Sequence, residues 1–192
     1  MPGVRIVSDS SCDLSQAEAD ALDIEVVPLS IRFGDDEYTD RIDLSVEDFY
    51  KKMAAADDLP ETAAPSPGAF EQAFRNAQDA GADAVICLNI SSALSATMQS
   101  AATAAKAFDG EMPVHVIDSQ SITSGLGTLV LLAAQAARDG DDADTILATI
   151  HDLIPRTHVF GALNTLANPL QRTGRPGTAL RNPCGASRLI FV

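Results

Sequence analysis

The chain has 192 residues, 46% of them apolar, and a formal net charge of −14 at neutral pH. That length fits one domain, or one domain and part of another, with enough apolar residues for a core. The charge repels nucleic acid and anionic lipid surfaces, which excludes both as expected partners, and no apolar run approaches the roughly 20 residues of a transmembrane helix.

Residues 4–7 (VRIV) read as a strand, and the N-terminus lacks the charged start and long apolar stretch of a secretory leader, so a cytoplasmic protein is expected. Asp9-Ser10-Ser11-Cys12-Asp13-Leu14 follows as a polar turn and leads into a helix over 15–22. Residues 24–27 and 29–33 read as strands, and Gly34-Asp35-Asp36 turns the chain toward 37–39. A helix opens at the capping residue Ser45 and runs to about 56, and Glu61-Thr62-Ala63-Ala64-Pro65 is expected as a loop. Ser66-Pro67-Gly68 puts a capping hydroxyl before a proline at the first helical position, with Phe70, Ala73, Phe74 and Ala77 recurring on one face.

Residues 84–89 (AVICLN) form the next predicted strand, and Leu94, Met98, Ala101, Ala105 and Phe108 then keep helical spacing with their apolar face as core. A strand over 114–117, the turn Asp118-Ser119-Gln120-Ser121, helices over about 124–138 and 144–153, and a strand over 159–163 complete the series. Strands alternating with helices predict an α/β fold, a mostly parallel sheet flanked by helices.

In such a sheet Asp9-Ser10-Ser11, Ser91-Ser92 and Asp118-Ser119 fall at the carboxyl ends of strands, where open α/β sheets bind ligands. A helix begins just after each cluster, and helix N-termini offer free N–H groups to an anion. Ser and Asp before a helix are also ordinary caps. One cap needs one hydroxyl, however, and Ser91, Ser92, Ser95 and Thr97 exceed that need.

Other constellations are weaker. Gly125-Leu126-Gly127 lacks the third glycine of a dinucleotide fingerprint, since position 130 is Val, and there is no Walker lysine motif. His115, His151 and His158 are not in metal-ligand spacing, and the widely spaced Cys12, Cys87 and Cys184 suit neither a disulfide framework nor a CxxC site, so no metal is expected. A serine hydrolase or transferase can be assembled on paper from Ser92, a histidine and Asp9 or Asp118, but no G-x-S-x-G elbow exposes the nucleophile. A binder of a small carboxylate or phosphate is a further alternative.

Taken together, Val7 to Leu14 (VSDSSCDL), Glu61 to Phe70 (ETAAPSPGAF), Ile90 to Ser100 (ISSALSATMQS) and Val116 to Ser121 (VIDSQS) resemble the DegV family. The resemblance implies a bacterial fatty-acid-binding protein, the acyl-carrying subunit of fatty acid kinase, which needs no cofactor and presents its ligand's carboxylate to a separate ATP-using kinase subunit without itself being an enzyme. It places the family's carboxylate-binding threonine on Thr62 and its serine segment on Ser91, Ser92 and Ser95, and the other two strand-end clusters, Asp9, Ser10, Ser11, Asp118 and Ser119, are then expected as a supporting site. The chain departs from the family in reading Thr62-Ala63-Ala64-Pro65 for Thr-Ser-Gln-Pro and Ala93-Leu94-Ser95-Ala96-Thr97-Met98 for Gly-Leu-Ser-Gly-Thr-Tyr.

Charge marks a division of the chain. Residues 1–154 hold all 27 acidic side chains and 8 Lys plus Arg, whereas 155–192 hold 5 Arg and no acid. The expected organisation is a DegV-like domain over 1–155, the start of a second domain over 156–175, and an atypical tail over 176–192. The family's second α/β domain is expected to be largely missing, leaving apolar surface open to self-association. Arg156, Arg172 and Arg175, in the basic region, are candidates for docking the partner.

Overall fold

The computed structural model describes residues 3–56, 58–162 and 188–190. Strands β1 (Val4–Asp9), β2 (Glu25–Val27), β6 (Ala84–Asn89) and β7 (Val114–Asp118) form a parallel sheet in the order β2-β1-β6-β7. The register pairs Ile6 with Ile86 and Asn89 with Asp118, so the strand carboxyl ends share one edge. β6 is buried along its whole length, as expected of a central strand with helices on both faces.

Alternation along the strands divides the core in two. Ile6, Ile86 and Leu88 face α5 (Thr123–Asp139) and α6 (Ala143–Leu153), where Leu126, Leu129, Val130, Ile146 and Ile150 pack against them. Val7, Val85 and Cys87 face α3 (Pro67–Asp79) and α4 (Thr97–Ala105), joining Phe70, Phe74 and Phe108. The apolar spacing read from the α3 segment is thus its buried face, and Ser66 caps that helix by accepting the Ala69 N–H at 3.2 Å. Ser15 opens α1 (Gln16–Ala21) in a reciprocal capping box with Glu18, and Ser45 caps α2 (Val46–Ala55).

Two expectations are corrected. Thr62 lies not in a loop but on β5 (Glu61–Ala63), at the edge of a second, antiparallel sheet of β4 (Asp36–Thr39), β3 (Ser30–Phe33) and β5, in which Thr62 pairs with Ile31. Pairing with β3 makes this a strand, a non-local cause invisible in a Thr-Ala-Ala stretch. Leu94 is 42% exposed and precedes its helix, because the Leu94 and Ser95 N–H groups both donate to the Ser91 carbonyl and form a turn there. The helix begins only at Thr97 and ends in a short turn reaching the buried Phe108.

The predicted strand over 159–163 is β8 (Phe160–Ala162), paired in parallel with β9 (Arg188–Ile190). Arg172, Arg175 and most of the expected tail lie outside the described residues.

Candidate functional site

The three polar turns meet at the carboxyl edge of the parallel sheet. Asp9 is fully buried, and its carboxylate accepts from both neighbouring segments: the Ser11 N–H at 3.1 Å and the Ser11 hydroxyl on one side, the Asn89 amide at 3.2 Å and the Ile90 N–H at 2.9 Å on the other. It therefore ties the turn after β1 to the residue that opens the serine loop after β6. The Ser91 N–H donates to the Ser121 carbonyl at 2.9 Å, and the Ser119 N–H to the Asn89 carbonyl at 3.1 Å, which joins the same loop to the turn after β7.

Most hydroxyls here have a partner within the protein. The buried Ser10 hydroxyl accepts the Leu29 N–H at 3.1 Å and fixes the chain leading into β3. Ser91, also buried, accepts the Ala93 N–H at 3.3 Å. The exposed Ser92 donates its hydroxyl to Asp118, whose carboxylate also accepts the Ser92 N–H at 3.1 Å and the Gln120 N–H at 2.9 Å. Ser95, half-buried, accepts the Thr97 N–H at 3.2 Å and shares a 2.9 Å hydroxyl contact with the buried Thr97 side chain, in which either hydroxyl can be the donor. Ser119 donates to the Ser121 carbonyl at 3.3 Å. Ser121 is buried with its hydroxyl unpartnered.

The turn that carries Asp118 is strained. Gln120 and Thr123 have φ of +51° and +53°, a left-handed conformation that a β-branched residue adopts only when its surroundings hold it there. The helix α5 also lies against the turn after β1, where a Cβ on Gly127 would meet the Cys12 carbonyl oxygen at 2.4 Å. Only glycine lets the helix approach the turn after β1 so closely. The edge also acts on a thiol: burial, helped by the nearby Asp9 charge, pushes Cys87 well above the ordinary thiol range.

The sequence-predicted residues thus divide into groups. Asp9, Ser10, Ser11, Ser91, Ser92, Ser95, Asp118 and Ser119 lie along the edge where the three turns meet. Thr62 is exposed on the antiparallel sheet, and no hydrogen bond among the described residues joins it to the serine loop. Arg156 is exposed beyond α6 and pairs with Asp152 at 2.6 Å. Sequence reasoning missed Asn89 and Ser121; a lone amide ending an otherwise apolar strand was the available signal for the first.

A parallel sheet with helices on both faces and hydroxyls along its strand-end edge is an open α/β fold, the class whose ligands sit at the carboxyl ends of the strands. The sequence matches the DegV family, described as uncharacterised proteins, over residues 3–180, and the chain belongs to that family. A DegV domain-containing protein of Deinococcus radiodurans is 36% identical over 176 residues, covering 92% of this chain and 61% of that protein. A DegV family protein from Thermus thermophilus, whose structure is reported for its fatty acid binding, superposes with a TM-score of 0.79 at 33% identity, covering 92% of this chain and 62% of that one. A stearic-acid-binding protein from Eubacterium ventriosum superposes with a TM-score of 0.71 at 29% identity, over 77% of this chain and 52% of that one. The chain therefore spans about three-fifths of the length of the Deinococcus and Thermus relatives.

Proposed function

We propose that the chain binds a long-chain fatty acid, with its carboxylate at the loop after β6, and presents that carboxylate to a separate ATP-dependent kinase subunit. The observation that carries this reading is the convergence of three strand-end turns on the loop containing Ser91, Ser92 and Ser95, beside the N-terminus of α4, where Ser95 accepts the first N–H of the helix. Fatty acid binding by the Thermus and Eubacterium relatives supports the ligand class. Ser91, Ser92, Ser95 and Thr62 are assigned to the headgroup, and Asp9, Ser10, Ser11, Asp118 and Ser119 to holding the loop in shape. Burial of the acyl chain drives binding: about fifteen methylenes at roughly 0.8 kcal/mol each give about 12 kcal/mol before association costs.

The Ser92 hydroxyl donates to a carboxylate rather than to an imidazole, which favours binding over nucleophilic catalysis at this serine. The kinase subunit supplies ATP chemistry, so both proteins belong in the cytoplasm, and Arg156, Arg172 and Arg175 are assigned to docking. On this reading residues 1–155 are the headgroup domain, 156–175 begin the second domain, and 176–192 form the tail.

Lipid extraction of the purified chain followed by mass spectrometry should release fatty acid. Replacing Ser92 and Thr62 together by Ala should weaken the binding of a fluorescent fatty acid by about 1.5–3 kcal/mol for each donor lost to a charged group, with a much smaller change in urea midpoint. Undiminished affinity in the folded double variant would remove the carboxylate assignment.

A further inference from the structure

The donors at the exposed end of the serine loop already hold an anion. Asp118 takes the Ser92 hydroxyl on one carboxylate oxygen and the Ser92 and Gln120 N–H groups, at 3.1 and 2.9 Å, on the other. Ser92 is exposed and Asp118 only half-buried, so this cluster lies within reach of a ligand. With its proton given to Asp118, the Ser92 oxygen turns lone pairs outward. A headgroup that carries its own O–H finds an acceptor there, whereas a carboxylate finds lone pairs and a second negative charge one side chain away.

Resting on the reading above that Ser92 meets the headgroup, we propose that Asp118 is a specificity-determining residue: an internal carboxylate that competes with the ligand's carboxylate for the Ser92 donors and sets the preference between charged and neutral headgroups. Two like charges at a shared site disfavour one another, so the charged ligand binds only by drawing the Ser92 donors away from Asp118. Asparagine at 118 keeps an oxygen for the two N–H groups, removes the charge, and offers the incoming carboxylate an amide donor.

The test uses the full chain and two fluorescent probes of the same chain length, cis-parinaric acid and the corresponding parinaryl alcohol. Asp118→Asn should tighten the acid about tenfold and leave the alcohol unchanged, since a unit charge a few ångströms away at partial exposure is worth about that factor. Equal changes for both probes, no change for the acid, or a weakened acid would overturn the proposal, because Asp118 would then only shape the loop. Ser92→Ala, measured alongside, separates the two levels. If it weakens the acid while Asp118→Asn leaves the acid-to-alcohol ratio alone, the headgroup reading stands and the role of Asp118 falls. If neither variant alters the acid's binding, both fall together. Should Asp118→Asn not fold by urea titration, Asp118→Ser, whose hydroxyl still accepts an N–H, gives the same ratio.

Discussion

Replacing Asp9 by Ala should be the most damaging polar substitution at the sheet edge. The carboxylate is fully buried and holds four donors from two segments. Its loss leaves the buried Asn89 amide and Ile90 N–H without acceptors, at about 1–3 kcal/mol each, while the half-buried Ser11 donors regain water. Removing a desolvated charge offsets part of this, so a net loss of about 3 kcal/mol is expected. With an m-value of about 2 kcal/mol/M, the urea midpoint should fall by about 1.5 M. Asp9→Asn keeps one oxygen and turns an N–H against donors on the other side, so it should lose about half as much. A cycle with Asn89→Ala isolates the shared bond, and its coupling energy should exceed about 0.5 kcal/mol. A midpoint unmoved by Asp9→Ala, or strict additivity with Asn89→Ala, would refute the view that this carboxylate ties β1 to the serine loop.

Two further perturbations probe the frame around the site. Gly127→Ala, which in an ordinary helix interior would stabilise by about 1 kcal/mol, should here destabilise by about 1–3 kcal/mol, because its Cβ would lie 2.4 Å from the Cys12 carbonyl oxygen; a raised urea midpoint would contradict that close approach. Burial raises the Cys12 and Cys87 thiols above their ordinary value of 9.0, so the unfolded chain ionises first as pH rises. The stability these thiols contribute is full below that value and is lost above it by up to about 1.4 kcal/mol per pH unit for each. The loss should shrink in a Cys12→Ala/Cys87→Ala variant, and identical pH profiles for the two proteins would exclude it.

The parallel sheet and its helices were legible because their signals are local. Ser66 before Pro67, the apolar run over 84–89 and the spacing from Phe70 to Ala77 each act within a few residues, and each element formed where read. The antiparallel sheet was less so: β5 is three exposed residues made a strand by β3, some thirty positions away in the chain. The start of α4 misled for a related reason. Leu94 keeps helical spacing with Met98 and Ala101, but the Ser91 carbonyl captures its N–H first, and periodicity carries no record of such competition.

The hydroxyl count needs the same correction. Four hydroxyls between residues 91 and 97 looked like more than a cap requires, yet Ser91 accepts a loop N–H, Ser92 donates to Asp118, and Ser95 and Thr97 meet each other. Surplus alone therefore does not mark a site; the meeting of three strand ends around these residues is the stronger argument, and that meeting is tertiary. It also bears on what selects the ligand. Among the described residues, Arg41 reaches the turn after β1, donating to the Leu14 carbonyl at 2.6 Å and to Asp13 at 2.8 Å, whereas the hydrogen bonds of the serine loop come from neutral donors shared with Asp9, Asp118 and the loop's own hydroxyls. On the proposed reading, one or two such donors at about 1.5–3 kcal/mol each are outweighed by about 12 kcal/mol of acyl burial. The chain of the lipid, more than its headgroup, then sets affinity, while the headgroup's charge against Asp118 decides which lipids of equal length are kept.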